Sequence, residues 1–186
     1  MVFYIIFIIL IIIIIFIFSS PTLSPIPYFP SQKADMPLIV RALNLKNNQT
    51  VFDLGAGDGI MIFESAKSSY LKKLNTKFIA VEINPVLLII LYFRRLFHPN
   101  RENIRIIRDD IFKMNFYKAM KQWSNVTIYL YISPWFLEKV IKNCLSAEAL
   151  AKVDKLKFVS YMYPIKSLKN IEKIIQGKNK IFIYYL

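Results

Sequence analysis

Residues 2–18 (VFYIIFIILIIIIIFIF) are apolar without a break, and every charged side chain lies beyond them, beginning with Lys33, Asp35 and Arg41. A helix rises about 1.5 Å per residue, so this run nearly covers a hydrocarbon core of about 30 Å. It has no polar face, unlike a helix packed on a globular core. Ser19, Ser20 and Pro21 end it, since Pro21 lacks an amide hydrogen and fixes its own φ. No Lys or Arg precedes the run, and it exceeds the roughly 7–15 apolar residues of a cleaved signal peptide. The pattern therefore predicts an uncleaved transmembrane anchor over residues 1–18. Residues 19–34 follow as a proline-rich linker, SSPTLSPIPYFPS over its first part.

From residue 35 the pattern changes to alternating strands and helices. Residues 35–46 (DMPLIVRALNLK) predict a helix with Asp35 as N-cap and Pro37 in its first turn. QTVFDLG is a short apolar run ending at a glycine-rich turn, the signal of a buried strand. Helices are expected over 59–73, 85–97 and 134–145, and strands over 77–83, 103–110, 126–132 and 156–163. The 85–97 helix is too short before Arg94-Arg95 to make a second span. At the end, KNKIFIYYL reads as a strand, preceded by a QGKN turn and an ambiguous IEKII segment. Repeated strand–helix units give an α/β fold with a mostly parallel, doubly wound sheet and an antiparallel C-terminal hairpin. A chain of 186 residues suits a single such domain, over residues 35–186.

Composition then removes several chemistries. One Cys excludes a disulfide framework, a CxxC redox pair and a cysteine-rich zinc module. One His, His98, makes histidine-based metal sites and a His-dependent triad poor expectations, and no metal site is expected. His98 reads as a surface turn residue, and Cys144 as packing in an apolar helix.

The chemistry gathers at the strand ends. The first strand runs into Asp53-Leu54-Gly55-Ala56-Gly57-Asp58-Gly59-Ile60. Glycines there let the backbone approach a ligand and take positive φ, and the next helix offers free amide hydrogens. A dinucleotide fingerprint would require glycine at position 60, where Ile60 stands. The second strand ends Val81-Glu82-Ile83-Asn84-Pro85. A carboxylate at that point can accept both hydroxyls of a ribose. The third ends at Arg108-Asp109-Asp110.

The D-x-G-x-G-x-G turn, with Glu82 and Asp110 following in order, resembles class I S-adenosylmethionine-dependent methyltransferases. That resemblance implies a Rossmann-like fold and S-adenosyl-L-methionine as cofactor. It places Asp53, Gly55, Gly57, Asp58, Gly59, Glu82, Asn84 and Asp110 in the cofactor site, with Asp53 near the methionine ammonium and Asp110 near the adenine amine. Apolar N-terminus, Pro-Tyr-Phe-Pro-Ser, DLGAGDG, VEINP, RDDIF and NVTIYLYISPWFLEKV in this order are also similar to the small membrane-anchored protein-lysine methyltransferases of the ATP synthase c subunit and adenine nucleotide translocase type. In that family Tyr28 to Ser31 corresponds to a segment lying over the active site. Tyr131, Ser133 and Pro134, with Trp135 beside them, then fall where the acceptor should arrive, where they either position it or simply line the top of the sheet. Ile60 replaces the family's usual Arg, and Tyr-Ile-Ser-Pro departs from its Val-Pro-Ser. The fourth strand's end holds no Asn-Pro-Pro-Tyr or Asp-Pro-Pro-Tyr, which speaks against methylation of an exocyclic adenine amine.

The net charge of +13 is spread in ones and twos rather than massed. Given an anchor, it is assigned to an anionic leaflet at about 1 kcal/mol per well-placed cation, rather than to nucleic acid. The sequence thus predicts a single-pass membrane enzyme, its catalytic domain on the cytoplasmic (or mitochondrial matrix) side, methylating lysine of a membrane protein. A lipid-soluble acceptor of quinone or isoprenoid type, and a non-catalytic cofactor-binding domain, stay open as alternatives.

Overall fold

Strand β1 (Thr50–Leu54) is buried on both faces, which is why its sequence reads as an unbroken apolar run around Asp53. It lies between β2 (Lys77–Glu82) and β4 (Asn125–Leu130), parallel to both. β3 (Ile104–Arg108) extends the sheet beyond β2, and β5 (Lys155–Tyr161) beyond β4, again in parallel. β7 (Lys180–Tyr185) pairs antiparallel with β5, and β6 (Glu172–Gln176) closes the edge antiparallel to β7. The order is therefore β3-β2-β1-β4-β5-β7-β6, with the chain reversing sides after β3. The computed structural model describes residues 1–120, 122–123, 125–145 and 155–186, so the domain expected over 35–186 includes residues outside the described ones.

Helices α2 (Met36–Leu43), α3 (Ile60–Leu71) and α4 (Pro85–Leu96) cover one face of this sheet. The short α5 (Phe116–Met120) and α6 (Pro134–Cys144) cover the other. Pro85 and Pro134 open their helices at positions where a missing amide hydrogen costs nothing. The first helix, α1 (Val2–Ser19), has no buried residue.

The expected Rossmann-like α/β architecture, parallel sheet and C-terminal hairpin are all present. Two local readings change. IEKII becomes β6, an edge strand with one neighbour, and its half-exposed side chains explain the blurred periodicity. Asp35 precedes α2 but makes no capping bond. Its buried carboxylate turns inward and accepts from the Tyr161 hydroxyl (2.7 Å) and the backbone amides of Lys178 (2.7 Å) and Asn179 (2.9 Å). Burial pushes that carboxyl up, but the hydrogen bonds outweigh it and hold it below the usual range.

Candidate functional site

Carboxyl ends of parallel strands open outward where the chain reverses sides, and here β1, β2, β3 and β4 end around one cavity. Its floor is the turn after β1. Gly55, Gly57 and Gly59 all take positive φ, the left-handed region that glycine reaches without strain. Two of them also have no room for a side chain. A Cβ on Gly57 would stand 2.7 Å from the Tyr28 ring, and one on Gly59 would stand 2.4 Å from Leu91 on α4. The turn thus packs against α4 below and the proline-rich segment above.

That segment, residues 24–31, lies across the cavity as a strap. Its end is fixed by a buried hydrogen bond between the Ser31 and Tyr129 hydroxyls (2.9 Å), and Tyr129 faces Asp53 in the β1–β4 register. Burial, then the adjacent Asp58 carboxylate, push the Tyr28 hydroxyl up to about 12. Asp58 is itself paired with Arg94 of α4 (3.0 Å), which also donates to the Asp58 carbonyl (2.6 Å).

Glu82 ties the two sides of the cavity together. One carboxylate oxygen accepts from the Gly57 amide (2.8 Å), the other from the amides of Ile83 (2.8 Å) and Asn84 (2.9 Å). Asp53 differs: it is buried at the cavity wall, 3% exposed. Burial first, then the charges of Glu82 and Asp58, push its carboxyl well above the usual range. A buried acid in that state is poised for a cation. At the end of β3, Asp109 and Asp110 both line the cavity; Asp109 accepts from the Asp110 amide (2.8 Å) and Asp110 from the Phe112 amide (2.9 Å).

The cavity therefore brings together Asp53, Gly55, Gly57, Asp58, Glu82, Asp110 and Tyr131 from the sequence-derived set. Gly59 sits beneath the turn as the N-cap of α3. Asn84 does not line the cavity; its side-chain oxygen caps α4 through the Val86 and Leu87 amides, and its buried amide nitrogen has no partner among the described residues. Ser133 and Pro134 begin α6 just outside the lining, next to Trp135, which is 81% exposed. Sequence reasoning passed over Asp109 and the Ser31–Tyr129 clasp. The clasp joins residues 98 positions apart and has no local signature.

His98 and Cys144 lie elsewhere. His98 joins the end of α4 to α3 through the Phe63 carbonyl (3.1 Å), and Cys144 is buried in α6 with its thiol pushed up by burial. Among the described residues no cluster of His, Cys, Asp or Glu has the arrangement of a metal site.

The residues present fit S-adenosyl-L-methionine. Its cationic ammonium and sulfonium suit a cavity with five acids on its walls, and its carboxylate suits the free amides at the start of α3. Comparison with known proteins agrees. Residues 29–180 match the family described as ribosomal RNA adenine dimethylase. An 89-residue stretch is 32% identical to the probable ribosomal RNA small subunit methyltransferase A of Methanosphaera stadtmanae, covering 48% of this chain and 30% of that protein. The match thus spans under a third of that relative's length. Among solved structures, an RNA methyltransferase from Salinibacter ruber in complex with S-adenosyl-L-homocysteine superposes with a TM-score of 0.64 at 15% identity, covering 84% of this chain and 93% of that one. The 23S rRNA methyltransferase ErmE superposes with a TM-score of 0.58 at 13% identity, over 86% and 70% of the two chains. At these identities the superpositions speak for the fold.

The family match overturns four expectations, the first being that the lack of Asn-Pro-Pro-Tyr or Asp-Pro-Pro-Tyr after β4 speaks against an exocyclic adenine amine. Methylation of lysine in a membrane protein, and with it a lipid-soluble acceptor, gives way to a family defined on ribosomal RNA. The exclusion of nucleic acid as partner fails for the same reason, since a charge of +13 is drawn to a polyphosphate as readily as to a leaflet. Placement at a membrane surface, read from residues 2–18, the basic charge and the resemblance to membrane-anchored enzymes, gives way with them to a family described on ribosomal RNA. Helix α1 is long and apolar enough to cross a membrane by length and composition, a test that a signal sequence also passes.

Proposed function

The chain belongs to the ribosomal RNA adenine dimethylase family, and from that premise we propose that it methylates RNA, with an adenine exocyclic amine as acceptor. The observation that carries this reading is the match over residues 29–180, which takes in the end of the strap, the glycine turn and the ends of β2, β3 and β4 together. When bound, S-adenosyl-L-methionine supplies an electrophilic methyl group on a sulfonium. Everything else falls to the protein's own side chains.

Asp53 is the residue for the ammonium of the methionine moiety, because it is the buried carboxyl whose surroundings favour a cationic partner. Glu82 presents its carboxylate at the cavity wall in the position for a ribose, already oriented by three amides. Asp110, held by the turn it opens, is the residue for the cofactor's adenine. Transfer is an in-line displacement, so alignment and exclusion of water are the main contributions. An adenine amine has its lone pair delocalised into the ring, and hydrogen-bond acceptors for its N–H groups help localise it. At the end of β4 the acceptor on the cavity wall is the Tyr131 hydroxyl, with Ser133 just outside the lining, rather than a carboxamide or carboxylate. Burial raises the Tyr131 hydroxyl, keeping it neutral and able both to accept and to donate. The amine's proton leaves to solvent after transfer.

The test is methyl transfer from labelled cofactor to protein-free ribosomal RNA, followed by digestion to nucleosides. Label in N6-methylated adenosine is the expected result. Label in a different nucleoside would remove the adenine assignment, and no label in RNA would remove the reading altogether.

A further inference from the structure

A second depression lies between α2 and α3, with a volume of about 810 Å³. Its walls carry Lys33, Arg41, Lys72 and Arg94 against a single acid, Glu64. Lys33, Arg41 and Lys72 are exposed and have no ion-pair partner among the described residues. Arg94 is already held by Asp58 and lies over the Phe63 ring at 4.7 Å, so it fixes the inner edge of the groove. Ile60, the first residue of α3, lines both this groove and the cofactor cavity, and Asp58 links the two through Arg94. The groove is wide and shares Ile60 with the site.

Unpaired cations set along an open groove, with almost no acid among them, suit a chain of phosphates rather than a compact ligand. Contacts to phosphate position a nucleic acid without reading its bases, and a methyltransferase that acts on one base needs the flanking backbone held. Resting on the RNA reading above, we propose that the α2–α3 groove binds the phosphate backbone of the RNA substrate, with Lys33, Arg41 and Lys72 as the contacting residues. The acidic cavity then receives the cationic cofactor, and the basic groove beside it receives the polyanion. The opposite signs of the two depressions keep the two ligands apart.

The experiment compares the full chain with Lys33→Gln/Arg41→Gln/Lys72→Gln, and with Lys166→Gln/Lys169→Gln as a control on the exposed turn before β6. Affinity for protein-free ribosomal RNA is measured across a salt series, alongside cofactor affinity and binding to anionic phospholipid vesicles. Each phosphate contact adds about 0.7–0.9 to the slope of log K against log salt. The triple variant is expected to lose about 2 from that slope and about a hundredfold in RNA affinity near 0.1 M salt, with cofactor affinity retained as evidence of folding. The control pair is expected to change the slope by less than half as much. An unchanged slope in the triple variant, or an equal loss in the control, overturns the groove while leaving RNA methylation intact. Vesicle binding that depends on these three residues while RNA binding does not also overturns it. A wild-type chain that neither binds nor methylates RNA defeats the functional reading instead.

Discussion

Glu82 has both carboxylate oxygens engaged by backbone amides, across the glycine turn on one side and the β2 end on the other. Removing it takes away the proposed ribose ligand and the bracket that shapes the cavity. Hydrogen bonds to a charged group contribute about 1.5–3 kcal/mol each. Glu82→Ala is expected to weaken S-adenosyl-L-methionine binding by about ten- to a hundredfold in titration calorimetry; an unchanged dissociation constant would contradict the site. Asp53 supplies a pH signature. Its folded-state carboxyl titrates above its unfolded value, so the folded protein holds a proton that the unfolded chain releases. Stability of the cofactor-free protein should therefore fall as pH rises from the ordinary carboxylate range toward the raised value. Asp53→Asn should flatten that part of the profile of Tm against pH. Identical profiles for the two proteins would show that Asp53 does not carry a raised carboxyl. The residue types at these positions were legible from the D-x-G-x-G-x-G pattern, because a tight turn demands glycine. The engagement of Glu82 by the turn was not, since it joins positions 25 residues apart.

At the scale of elements, β1, β2, β4 and β5 were legible because strands buried on both faces read as continuous apolar runs. Helices α4 and α6 announced themselves by proline at their first position. α5 is too short to show a period, and β6 has only one neighbour to impose one. Asp35 gives the sharpest contrast. Its sequence position suggested a helix cap, but it anchors the β6–β7 turn through residues 126 to 144 positions away. It also fixes the chain just after the strap. Gly177 belongs to the same turn, where a Cβ would stand 2.4 Å from the Asp35 carboxylate. Asp35→Ala leaves two backbone amides and the proton of the Tyr161 hydroxyl without their acceptor and is expected to cost about 2–4 kcal/mol. A lower urea midpoint at unchanged slope would report this, whereas a midpoint within error of the wild type would show that the hairpin holds without it.

For the whole molecule, the fold was legible from the alternation of strands and helices, but the acceptor was not. The glycine turn and the acids at three strand ends specify a cofactor, and they recur whatever the methyl group is transferred to. The apolar N-terminus was the most conspicuous feature of the chain, and it drew the basic charge into a membrane reading that the family match then corrected. The structure separates charge by site: acids line the cofactor cavity, and four cations against one acid line the groove beside it. That division matches the proposed pairing of a small cationic cofactor with a large anionic substrate. The most direct measurement incubates the purified protein with methyl-labelled cofactor in a cell extract and separates RNA, protein and lipid. The account predicts label in the RNA fraction, lost on Glu82→Ala. Label confined to protein or lipid would contradict it.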